Sequence, residues 1–221
     1  MKILHVQSLH LHDPWLRTVA SWAPSVDAIT IAGDCMPIAS SRKRVDDERE
    51  LRRWLADLRV DVYYSRGPYD VDARKMLGWG LPNLHLSGTH EGRGTGYSIH
   101  VVDTYSTEIW EPHATTLPGI VVSHFPPMGC GCATSTPDGE NCGRSDVRAM
   151  LDQLGDVRLA LGGRVSQPRE RIGWAEGACV VVPGISYQEH AAEPAFARID
   201  MSRRSIQVYD GKQLRAHSFA R

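Results

Sequence analysis

The chain lacks most of the features that assign a protein at a glance. No apolar run in its 221 residues approaches the roughly 20 that a membrane-spanning helix needs. Neither sign of charge dominates. With 25 Lys and Arg against 26 Asp and Glu, the formal net charge is −1, which supplies no footprint for nucleic acid or an anionic membrane. The N-terminus has one lysine and then a strand-like alternation in place of a signal-peptide core, so a cytoplasmic protein is expected. Repeats, low-complexity tracts, clear linkers and organic-cofactor motifs are also missing. A single α/β domain over 1–221 is the expectation.

Cysteine is sparse and odd in number, at five. Cys35 and Cys179 sit in apolar, strand-like contexts and read as small buried hydrophobes. Cys130, Cys132 and Cys142 share one polar, glycine-rich loop. Their spacing is a poor match to zinc sites, which usually place two residues between paired cysteines. A reduced loop or a local disulfide is preferred there over a structural metal.

What the chain does have is alternation of strand and helix patterns. Strands are expected to begin at residues 2, 26, 60, 119, 158 and 178, with later ones at 195–200 and 205–210. Helices are expected from Pro14 to Trp22, over 45–58, near 71–78 and around 145–154. In 45–58, Leu51, Trp54, Leu55 and Leu58 recur at helical spacing, and Asp46, Asp47 and Glu48 favour the first turn. The middle, 83–112, reads as turns and short strands. Its GRGTG stretch (92–96) leads into the strand-like YSIHVV, so it reads as a hairpin turn and not a phosphate cradle. The loop of about twenty residues after His124 is long enough to be functional or mobile.

In open α/β sheets, sites form beyond the carboxyl ends of strands. Ser8 and His10, Gly33-Asp34, Gly67-Pro68-Tyr69-Asp70, His124-Phe125-Pro126-Pro127, Gly163-Arg164-Val165-Ser166 and Pro183-Gly184 all lie just past expected strand ends. One such histidine is usually structural. Several strand ends delivering polar residues together point to a site.

The stretches KILHVQSLH, ITIAGD, VYYSRGPYD, IVVSHFPP, LALGGRVSQP and VVVPG, in that order, resemble the calcineurin-like metallophosphoesterase superfamily. The likeness runs from Lys2 to Asp210. It implies a four-layered α/β/β/α sandwich with a two-metal hydrolase site at the strand ends. The family pattern is Asp-x-His, Gly-Asp, Gly-Asn-His-Asp/Glu, His, Gly-His-x-His and often Asn-Pro-Gly. Here only His10, Asp34 and His124 match its metal positions. Ser8 and Pro68 replace an Asp and an Asn, Arg164 and Ser166 replace two histidines, and Val182 replaces the last Asn. Tyr69 stands where the family's phosphate-stabilising histidine belongs, while Asp70 matches the acid of the third motif.

Two divalent ions repel each other and need several anionic or imidazole ligands each. The retained positions supply two per ion, with Asp34 shared, so no metal cofactor is expected. An arginine cannot ligate a cation but can replace its charge. Arg164 is therefore expected to point into the former metal space and pair with Asp34, directly or through one water.

Three readings follow. In the first, a degenerate homologue uses His10, Asp34, Arg66, His124 and Arg164 to bind a phosphorylated small molecule, a nucleotide or a protein partner. In the second, His10, Asp34 and His124 hold a single divalent ion (Mn, Zn, Fe or Mg), and Tyr69, Asp70 and Arg164 assist phosphoester hydrolysis. In the third, the fold is a scaffold and its function lies elsewhere. The 130–142 loop is expected to cover the pocket mouth or pack beside it.

Overall fold

The computed structural model describes residues 1–37, 44–92, 94–103, 115–185 and 193–219. Its strands are β1 (Lys2–Val6), β2 (Ala28–Ala32), β3 (Asp61–Ser65), β4 (Leu84–His85), β5 (Gly88–Glu91), β6 (Ser98–Val102) and β7 (Gly119–Ser123), followed by β8 (Val157–Gly162), β9 (Ile172–Ala175), β10 (Ala178–Val181), β11 (Phe196–Asp200), β12 (Ser205–Tyr209) and β13 (Leu214–Ser218). The helices are α1 (Asp13–Trp22), α2 (Arg44–Asp57), α3 (Ala73–Leu77) and α4 (Ser145–Leu154). No helix among the described residues is long and apolar enough to cross a membrane.

The strands form two sheets, ordered β13-β12-β11-β1-β2-β3-β4 and β5-β6-β7-β8-β10-β9. β1, β2 and β3 run parallel, as do β6, β7, β8 and β10, so their carboxyl ends share one edge. Every residue of β2, β6 and β7 is buried. That explains why β2 and β7 read as nearly continuous apolar runs: strands covered on both faces have no polar side to alternate.

Three apolar clusters separate four layers. Trp15, Leu16 and Val19 of α1 and Leu51 and Leu55 of α2 pack with Leu4, Ile29 and Val62 on the outer face of the first sheet. Between the sheets lie Ile3, Tyr63, Ile99, Ile120, Leu159 and Ile199. Leu151 of α4 and the Cys130–Ala133 stretch cover the far face of the second sheet. This is the α/β/β/α sandwich the resemblance implies.

Each expected helix is present. The GRGTG stretch does lie in the connection between the antiparallel strands β5 and β6, although Arg93, like residues 104–112, lies outside the described residues. β9 and β13 were not foreseen. All five residues of β13 are exposed, so it carries no apolar face to read.

Candidate functional site

The site edge begins where β1 and β2 end. The Ser8 N–H donates to the Gly33 carbonyl at 2.8 Å and the His10 N–H to the Asp34 carbonyl at 3.1 Å, so the two chains stay zipped beyond their strands. Holding them so costs backbone strain, because Ser8, His10 and Asp34 adopt φ of 51°, 48° and 55°. Two glycines are obligatory. A Cβ on Gly33 would fall 2.2 Å from His124 Nδ1, and one on Gly67 would fall 2.2 Å from Asp34 Oδ1. The second and third motifs are therefore packed backbone against side chain.

At the centre lie Asp34 and His124. His124 is fully buried and Asp34 nearly so, and Asp34 Oδ2 stands 3.7 Å from His124 Nε2. His124 Nδ1 lies 3.0 Å from the Ala32 carbonyl, which can only accept. Nδ1 therefore carries a proton, and Nε2 is the atom that faces the carboxylate. Asp34 Oδ1 accepts from the Tyr69 backbone N–H at 3.4 Å. Burial raises the Asp34 pKa, opposed by that N–H and by the charges of His10 and Arg164. Burial likewise lowers that of His124. Both groups are pushed toward their neutral forms.

Three expected site residues are placed differently from the sequence reading. Asp70 is buried, and its carboxylate accepts from the N–H groups of Asp34 (2.8 Å), Cys35 (2.8 Å), Met36 (3.1 Å) and Gly67 (2.7 Å). With both oxygens committed to backbone, it fastens two turns together. Arg66 is also buried. Its Nε donates to Asp103 Oδ2 at 2.7 Å, its Nη2 lies 2.6 Å from the same oxygen, and its Nη1 donates to the Val71 carbonyl. It is spent on structure and not on a ligand.

Arg164 makes no direct ion pair with Asp34. It is exposed and makes no ion pair among the described residues, although its charge acts on Asp34, His124 and Cys142. The backbone explains this outcome. Gly163 runs so close to Ala32 that a Cβ would sit 2.3 Å from the Ala32 carbonyl. At φ 64° Arg164 then turns the chain, and the guanidinium keeps its water instead of paying to be buried. Tyr69 is 37% exposed, and its contact with Asp34 is through backbone. His10 is half-buried, with Nδ1 3.0 Å from the Met36 carbonyl.

The 130–142 loop does pack beside this edge. It bridges Ser135 to Pro168 and Thr134 to Asn141, and the Arg169 N–H donates to the Thr134 carbonyl at 2.8 Å. So the loop is stitched to the segment that carries Arg164, which argues against a swinging lid. All five cysteines are free. The Cys130 thiol donates to the Pro127 carbonyl at 3.1 Å and the Cys132 thiol to the Val180 carbonyl at 3.6 Å, and the neighbouring Cys132 lowers the Cys130 pKa to about 7. These contacts were not legible from the spacing.

Among the described residues no three His, Cys, Asp or Glu side chains converge as a metal-binding set. An exposed guanidinium stands where a ligand histidine belongs in the resembled family.

No family model matches the chain, and no curated protein does. Solved structures do. One superposes with a TM-score of 0.71 at 14% identity over 99% of both chains. An archaeal phosphodiesterase aligns at 0.53 and 14% identity, covering 99% of this chain and 100% of its own. A sulfate thiohydrolase from Thermus thermophilus aligns at 0.55 and 11% identity, over 97% of this chain but 55% of that one. At such identity the likeness speaks for the fold. The chain shares the two-sheet α/β fold of these solved structures.

Proposed function

We propose that this chain is a degenerate phosphoesterase homologue that binds a phosphate-bearing small molecule at its strand-end edge without a two-metal centre. The observation that carries the reading is Arg164: a permanently charged guanidinium, exposed and without an ion-pair partner among the described residues, whose charge acts on the buried Asp34 and His124. A guanidinium offers phosphate a fork of donors and charge-assisted hydrogen bonds. His10 adds a half-exposed imidazole on the same edge, and the side chain of Tyr69 is open to solvent beside it.

Beneath these groups lies the buried Asp34, whose pKa burial raises, which lessens its repulsion of a bound anion. Asp70 and Arg66 hold the floor in place through their bonds to backbone and to Asp103.

The test is a titration of phenyl phosphate, followed by NMR, into protein kept in EDTA. Saturable binding in EDTA that weakens about tenfold or more in Arg164→Ala supports the reading. Turnover of bis-p-nitrophenyl phosphate that requires added manganese overturns it in favour of a metal-dependent hydrolase.

A further inference from the structure

A second cleft opens at the opposite end of the sandwich, where the parallel strands begin. It encloses about 350 Å³ and lies between the starts of β7 and β8, the β9–β10 turn and the β11–β12 turn. Its floor is the exposed end of the inter-sheet core, formed by the buried side chains of Met201 and Phe219. On one wall stands Trp174, 54% exposed on the edge strand β9. An indole left this open contributes little to the fold and offers a flat apolar face to a partner.

Four charged side chains line the cleft: Asp156, Arg158, Glu176 and Arg204. Asp156 is held by Arg158 at 2.8 Å, and Glu176 by Arg148 at 2.7 Å. Arg204, in the turn after β11, lines the cleft but makes no ion pair among the described residues. Among the described residues Arg204 is thus the one lining cation without an ion pair, beside an apolar floor and an aromatic wall. A volume near the small end of ligand pockets, about 300–1,000 Å³, suits a body of two fused rings.

We propose that this cleft is a second binding site, distinct from the strand-end edge, for a flat, mostly apolar monoanion of the aromatic carboxylate class. The ring system lies on Met201 and Phe219 against Trp174, and the carboxylate meets Arg204. A phosphate dianion is disfavoured here, since a single free guanidinium is flanked by two carboxylates.

The probe is 2-naphthoate, titrated calorimetrically into the full chain. One saturable site is expected. Arg204→Ala should weaken it about tenfold, the usual worth of a charge-assisted bond, and Trp174→Ser should weaken it comparably. Both side chains are exposed, so neither variant should disturb folding. Arg164→Ala should leave 2-naphthoate binding unchanged, and phenyl phosphate should not compete. Equal affinity in Arg204→Ala, absence of saturable binding, or displacement by phenyl phosphate would each overturn the proposal.

Discussion

The Asp70 carboxylate holds the backbone of Asp34. Oδ2 of Asp70 accepts from the Asp34 N–H at 2.8 Å, while Oδ1 takes the next two N–H groups, from Cys35 and Met36. The acid that closes the third strand-end motif thus fixes the left-handed turn of the second. Asp34 can keep a strained φ of 55° because this neighbour over-determines it. The position of the central carboxyl group is a property of two motifs and not of one.

Removing that anchor should be costly. Asp70→Ala leaves four buried N–H donors without an acceptor, at about 1–3 kcal/mol for each group left unsatisfied. Urea denaturation should show a loss above about 3 kcal/mol, even if water recovers some of the bonds. A variant of near wild-type stability would show that the carboxylate is not a structural tie.

The Arg66–Asp103 pair, 8% and 2% exposed in its side chains, invites a sharper test. Breaking a buried pair from one side costs about 3–5 kcal/mol, whereas replacing both members by apolar residues is often neutral. Arg66→Met should therefore destabilise strongly, and Arg66→Met with Asp103→Leu should recover most of the loss. If the double variant is as unstable as the single one, Arg66 matters through its bond to the Val71 carbonyl instead.

These two residues mark where the sequence stopped being legible. Strand ends could be read from apolar runs closed by Gly-Asp or His, and that placed His10, Asp34 and His124 on one edge. The partners could not be read. Asp103 lies 37 residues from Arg66, and nothing local announces the pairing. Asp70 looks like a catalytic acid until its four N–H donors are seen. The Arg164 side chain was misdirected because the close approach of Gly163 to Ala32 belongs to tertiary packing. β13 was missed because an exposed edge strand has no pattern of burial to betray it.

Arg164 consequently reverses a natural expectation. An arginine replacing metal charge beside Asp34 should be a structural partner, and its loss should unfold the protein. Exposed and without an ion pair among the described residues, it should instead be dispensable for folding. Arg164→Ala should shift stability by no more than about 0.5 kcal/mol, as surface changes usually do. Phenyl phosphate binding should fall in the same variant. A large drop in melting temperature would restore the buried-pair picture.

The dependence of stability on pH should follow His5. It is fully buried between the sheets, with Nδ1 3.0 Å from the Thr30 hydroxyl and Nε2 2.9 Å from the Gly162 carbonyl. Burial lowers its pKa from 6.5 to about 4. Between those two values the unfolded chain binds a proton that the folded chain refuses, so stability rises with pH across that window. Above pH 6.5 neither state is protonated there and the contribution is flat. The fall from pH 6.5 to 4 should cost about 3 kcal/mol through this residue. His100, also lowered to about 4 by burial, adds in the same sense. Asp34 and Asp70 act oppositely, since burial raises both and the folded state then takes up the proton first. The difference between wild type and His5→Gln isolates the histidine. Urea midpoints from pH 4.5 to 7 should show a shallower acid decline in the variant. Parallel curves would mean that His5 titrates normally inside the fold, through water reaching the space between the sheets.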